Sequence, residues 1–126
     1  KLTGLTQIAR DNILMRWQED MAELALYPNV YTKMSGLFMP VLGHQFHKQG
    51  RLASRQEVYD LASPLINHAL NCFGAQRVMF ASNFPMDRVS SSLVNIIDAF
   101  SDAVVAHDPN ALEQVFHHTA KQFYAL

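Results

Sequence analysis

The sequence predicts an α/β fold built on parallel strands, and three observations carry that prediction. Residues 30–35 are rich in β-branched and aromatic side chains, and residues 78–82 form a near-continuous apolar run, so each reads as a strand. Both runs are preceded and followed by segments with a helical period. The stretch between them is far too long for a hairpin and contains a helical pattern, which calls for parallel pairing through a right-handed crossover.

Taken in order, the first helix is predicted over residues 11–27, where Ile13, Trp17, Met21 and Leu24 recur at steps of four, four and three. Tyr27-Pro28-Asn29 stops it, and the strand at 30–35 runs into Gly36. With period two, Val30, Thr32 and Met34 should meet the helices, while Tyr31, Lys33 and Ser35 face the other way. Residues 36–53 carry Pro40, Gly43 and Gly50 without a period and read as a long loop. A second helix is expected from Ser54 or Arg55 to Phe73, with Val58, Leu61 and Leu65 on one face, Pro64 as a kink or break, and Gly74 as its terminator. The second strand follows at 78–82 and ends at Asn83-Phe84-Pro85. Ser90, Ser91 and Ser92 offer caps for a third helix striped by Leu93, Ile96, Ile97, Phe100 and Val104. Asp108-Pro109 then opens a last helical region through Leu112, Val115, Phe116 and Phe123, with Thr119 as a second cap. Residues 1–8 are too short and mixed for a third strand.

Length and composition restrict the function. At 126 residues the chain forms a single domain, 49% apolar and 17% charged, so a buried core is expected and disorder is not. Ten Lys+Arg against eleven Asp+Glu give a net charge of −1, without the basic excess of a nucleic-acid surface. The single cysteine, Cys72, cannot form an internal disulfide, and a reducing, cytoplasmic compartment is expected. No apolar run approaches the ~20 residues that cross a bilayer. Gly-x-Ser-x-Gly, phosphate-loop and Cys/His zinc patterns are absent, which removes nucleophilic-serine and nucleotide readings.

Three blocks of sequence carry a family resemblance. They are Pro28-Asn29-Val30-Tyr31-Thr32-Lys33-Met34-Ser35-Gly36-Leu37, then Phe73-Gly74-Ala75-Gln76-Arg77-Val78-Met79-Phe80-Ala81-Ser82-Asn83-Phe84-Pro85, and a terminal set of Thr119, Ala120, Tyr124 and Leu126. In order and spacing they resemble the amidohydrolase-related family, TIM-barrel hydrolases that include sugar lactonases and pyrone dicarboxylate lactonase. The resemblance covers only the C-terminal part of the family's length, without its His-x-His strand or its later strand-end His followed by Gly-x-Pro. It implies that residues 1–126 are a single partial domain, the C-terminal part of a (β/α)₈ barrel that needs ~250 residues when complete. Two parallel strands with flanking helices would be its last two units.

Candidate site residues cluster after the two strands. Asn83 stands where many family members have an Asp that serves as metal ligand or general base, and an amide neither takes a proton at neutral pH nor ligates transition metals well. Asp87, beside Arg88, could supply the carboxylate from the following loop, or form a solvated pair with that arginine. His44 and His47 lie in the long loop, where imidazole can contact substrate or move a proton near neutral pH. Lys33 and Ser35 belong to the face turned from the helices. Asn83, Asp87 and His47 are therefore the catalytic candidates, and Lys33, Ser35, His44 and Arg88 the substrate-binding ones. No carboxylate occurs between Glu23 and Glu57, whereas Lys33, Lys48, Arg51 and Arg55 do, a pattern that favours an anionic small-molecule substrate. His68, His117 and His118 read as packing or surface residues.

The resemblance implies hydrolysis of a lactone or similar cyclic ester or amide by activated water. It assigns no metal ligand or other cofactor to this chain, although a divalent metal belongs to the expectation for a full-length parent. Residues 1–126 alone should be inactive. Their open sheet edges call for a second copy or an N-terminal segment, with no nucleic-acid or membrane partner. The rival expectation is a short, non-catalytic chain or inactive barrel remnant that self-associates.

Overall fold

The computed structural model describes residues 6–126 and orders them as α1 (Gln7–Ala25), β1 (Thr32–Met34), α2 (Arg55–Phe73), β2 (Val78–Phe80), α3 (Leu93–His107) and α4 (Thr119–Phe123). Single turns of 3₁₀ helix lie in the connections, including Pro40–Leu42 and Phe46–Lys48 within the long loop, and a π-helical turn at Gln114–His118 leads into α4. The two strands pair in parallel, with Thr32 beside Val78, Lys33 beside Met79 and Met34 beside Phe80. Both are shorter than expected, because the residues after Met34 and Phe80 turn into the loops that carry the candidate site.

Local chemistry sets the helix ends. Thr6 caps α1 by accepting a hydrogen bond from the Ala9 N–H at 3.2 Å, so the helix starts four residues earlier than the apolar stripe suggests. At its other end Arg77 donates from its guanidinium to the carbonyls of Ala25 and Tyr27 at 2.9 Å each, and of Val30 at 3.2 Å. One side chain on the approach to β2 thus satisfies carbonyls that the end of α1 leaves open. Ser54 and Glu57 form a reciprocal capping box at the start of α2. That helix runs unbroken through Pro64, which is exposed, so the expected division does not occur.

The core lies between α2, α3 and one face of the strands. On α2 the buried positions are Val58, Ala62, Ile66, Ala69, Leu70 and Phe73, and on α3 they are Ile96, Ala99, Phe100, Ala103 and Val104. Leu61 and Leu65, expected at the centre of the α2 stripe, only flank the core, and Leu93 is exposed. The alanines explain this rotation, since small side chains let the two helices approach and larger ones are moved to the margin. Phe100 anchors the cluster, edge-on to Phe80 at 4.9 Å and to Phe38 at 6.3 Å.

The opposite strand face carries Lys33 and Met79 and stands outside that core cluster. Lys33 is exposed, with its ammonium 5.4 Å from the centre of the Tyr124 ring, while Tyr31 meets Phe123 at 5.0 Å. The end of α4 therefore folds under the beginning of β1. Thr119 does not cap this last helix. It is buried, accepts from Gln114, and donates to the Ala75 carbonyl at 2.7 Å, tying the C-terminal region to the approach of β2.

Candidate active site

Parallel pairing places the C-terminal ends of both strands on one side, and the loops that leave them are bound together there. Ser90, in the loop after β2, donates from its hydroxyl to the Phe38 carbonyl in the loop after β1. Ser91 donates to the Ala53 carbonyl at 2.6 Å, and the Ala53 N–H donates to the Ser90 carbonyl at 2.8 Å. Only Ser92 of the three serines caps α3. The other two are spent on seating the long loop.

Asn83 and Asp87 form the centre of this arrangement. Asn83 adopts a left-handed backbone conformation (φ 54°), which Asn tolerates better than most residues, and this turns the chain out of the strand. Its carbonyl accepts from the Asp87 N–H at 3.2 Å, and its side-chain Nδ2–H donates to Asp87 Oδ1 at 2.9 Å. The solvated Asp87–Arg88 pair is not formed: Asp87 is fully buried, whereas Arg88 is exposed and makes no ion pair among the described residues. The 3₁₀ turn at Met86–Val89 explains the separation, since it sends neighbouring side chains in different directions. The second carboxyl oxygen, Oδ2, is buried without a hydrogen-bond partner. Burial pushes the Asp87 carboxyl above its ordinary range, against the Asn83 amide, the Phe38 backbone amide and the His44 ring, which favour the anion.

His44 approaches from the other loop. The Phe46 N–H donates to His44 Nδ1 at 3.1 Å, and the ring stacks on Phe46 at 4.5 Å. With Nδ1 accepting, the proton of the neutral ring resides on Nε2, which is buried and unpartnered. Burial lowers the His44 pKa, and a charged His47 would push the same way. His47 itself is exposed and makes no hydrogen bond among the described residues. Gly36 closes the group: at φ +70°, a Cβ there would stand 3.5 Å from Asn83 Nδ2 and 3.1 Å from the end of the Met39 side chain.

The candidates are thus divided by the fold. Asn83, Asp87 and His44 come together, with Ser35 half-buried just beyond β1, while His47 and Arg88 lie on the exposed surface and Lys33 sits within the strand beside Tyr124. The expected positive field is weaker than the sequence suggests, because Arg51 pairs with Glu57 at 2.7 Å and Arg55 with Asp102 and Asp98. Lys33, Lys48 and Arg88 form no ion pair among the described residues. Sequence reasoning missed Arg77 as a clamp and Ser90 as a loop tie. For Asn83 and Asp87 the usable signal was their spacing of four across Phe84-Pro85, where the chain must turn.

The sequence pattern of the amidohydrolase family matches residues 4–126, nearly the whole chain. The chain belongs to this family. Among curated relatives, an uncharacterized protein of Sinorhizobium fredii is 33% identical over 108 residues, covering 86% of this chain and 32% of its own. An L-fucono-1,5-lactonase of Burkholderia multivorans is 28% identical over 120 residues, covering 92% of this chain and 37% of its own. The chain thus spans about a third of the length of these relatives. A crystal structure of a Burkholderia multivorans amidohydrolase with bound zinc superposes with a TM-score of 0.76 at 25% identity, over 92% of this chain and 39% of the other. The same amidohydrolase crystallised with bound HEPES gives equal values, over 38% of its length.

The zinc of that neighbour invites a test of the residues present here. Among the described residues, no group of three His, Cys, Asp or Glu side chains could hold a metal ion. His44 and Asp87 offer two donors, short of the three protein ligands that catalytic zinc generally uses. The described residues alone do not fit a metal. No described helix is long and apolar enough to cross a membrane.

Proposed function

We propose that this amidohydrolase is the C-terminal portion of a TIM-barrel hydrolase that opens a lactone, or a similar cyclic ester or amide, with activated water. The observation that carries this reading is the convergence of both strand-end loops on Asn83, Asp87 and His44, on the side where barrel enzymes bind substrate. The lactonase relative supports the choice of substrate class. In this reading Asn83 and Ser35 line the substrate's reactive end, with the His44 ring set near Asp87 behind them. Lys33, Arg88 and His47 favour an anionic substrate or the carboxylate product. The group that takes the proton from water, and any divalent metal that lowers the pKa of that water, would come from the rest of the barrel.

The same reading assigns a partner to the inner strand face and to α1, whose Ile8 and Met15, with Leu26 just beyond its end, are more than half exposed at 75%, 56% and 79%. A preceding segment or a second copy would cover them, in a cytoplasmic enzyme. Assay of the protein as its gene encodes it, against 1,4- and 1,5-lactones and cyclic amides with a pH indicator, tests the proposal. Turnover of at least one lactone is expected. Absence of turnover across the panel, in a folded protein, would reject it and favour the non-catalytic, self-associating chain.

A further inference from the structure

Of the polar side chains gathered at the strand ends, the most strongly charged one is the least accessible. Asp87 has no exposed surface, so neither water nor substrate reaches its carboxyl directly. Asn83 keeps exposed surface and holds Asp87 through one of its two amide hydrogens. An ionised carboxylate only accepts hydrogen bonds, which fixes the amide with Nδ2 toward Asp87. The second Nδ2 hydrogen has no protein acceptor among the described residues, and Gly36 presents no side chain against it. A buried negative charge on the far side of an amide polarises it, so the remaining N–H becomes a stronger and better-oriented donor.

We propose that Asn83 is a catalytic residue whose Nδ2–H donates to the carbonyl oxygen of the substrate, and that Asp87 is a positioning residue that acts through it. This rests on the hydrolase reading and specifies which group meets the developing charge. Water, deprotonated by a general base, adds its oxygen to the carbonyl carbon, and the carbonyl electron pair moves to oxygen. Asn83 keeps its hydrogen and binds that oxyanion more tightly than the ground-state carbonyl. When the intermediate collapses, the ring C–O bond breaks and the leaving alkoxide receives the proton that the base took from water. The proposal also accounts for Asn at the strand end: an Asp at 83 would set two carboxylates in contact, and one would have to remain protonated.

The test uses the full-length protein with a lactone panel that includes L-fucono-1,5-lactone. Asn83→Ala should lower kcat by ~100- to 1000-fold, as loss of an oxyanion donor does, with KM changed only a few-fold. Asp87→Ala should cost as much, and the double variant no more than either single one. Asp87→Asn should recover only part of the activity, because its carboxamide oxygen accepts the same bond but carries no charge to polarise the amide. Thermal melts identify variants that fail to fold, and if Asp87→Ala does, Asn83→Ala and Asp87→Asn decide the matter. Wild-type kcat in Asn83→Ala, or an Asp87→Asn variant as impaired as the loss of Asn83, would overturn the proposal. A wild-type protein inactive on every lactone would defeat the substrate class instead. The pair is then read by NMR of the Asn83 side-chain amide: one proton shifted downfield and protected from exchange supports it, and two protons at the positions of a free carboxamide, both freely exchanging, reject it.

Discussion

Helices α1 and α2 have the same length, 19 residues, and both show an apolar period in the sequence, yet α2 buries six side chains and α1 buries none. Ile66 on α2 is 1% exposed and Ile13 on α1 is 42% exposed. Periodicity states which face a helix would bury, and a second surface decides whether it does so. For α2 that surface is α3 and the strands. For α1 it is the margin of α2, where Met21 touches the core and Trp17 meets His68 at 5.6 Å, while Ile13, Leu14, Met15 and Leu24 remain uncovered.

The largest effect expected from this difference is on activity. On the proposed reading, a polypeptide of residues 1–126 should show no lactone turnover above buffer, and the protein as its gene encodes it should turn over a lactone; robust turnover by the short polypeptide would mean that its strand-end cluster is self-sufficient. Next comes packing. Ile66→Ala should destabilise the fold by ~2–5 kcal/mol, because it leaves a cavity between α2 and its partners. Ile13→Ala in residues 1–126 should stay within ~0.5 kcal/mol, as exposed substitutions do. Denaturant midpoints measure both, and a large cost at Ile13 in the full-length protein alone would show that further structure covers α1.

Arg77→Ala should follow at ~1–3 kcal/mol, since it strips donors from the carbonyls that end α1, and Arg77→Lys should not restore the loss because a compact ammonium cannot span carbonyls that the guanidinium meets from two separate nitrogens. Hydrogen exchange at the end of α1 would locate the effect.

The smallest expected effects are in pH dependence, where two carboxyls act with opposite sign. Asp87 is raised above its usual 3.8, so the folded state holds its proton more tightly than the unfolded chain does. Its contribution is fully present below 3.8 and is lost as pH rises through the folded value. Asp87→Asn should flatten that part of the stability curve. Glu57 is lowered from 4.5 to about 2 by Arg51 and the Ser54 backbone, so its contribution is present above 4.5 and is lost as pH falls toward 2. Glu57→Gln should remove only this acid limb. Melting temperatures collected across pH for both variants would separate the two, and curves parallel to wild type would refute both assignments.

The element order, the parallel pairing of two strands and the family were legible in the residues alone, because these rest on local period, turn chemistry and motif spacing. Asn83, Asp87 and His44 were legible too, as candidates in the loops beyond the strand ends. Tertiary packing alone set which residues of each helix are buried: Ala62, Ala69, Ala99 and Ala103 lie inside, and Leu61 and Leu65 lie at the core's margin. It alone turned Asp87 inward onto Asn83 and left Arg88 in solvent. The reason is range. Hydrophobic period and turn propensity act between neighbours in the chain, whereas the environment of a carboxyl is set by backbone brought from about 50 residues away, here Phe38 held by the Ser90 hydroxyl.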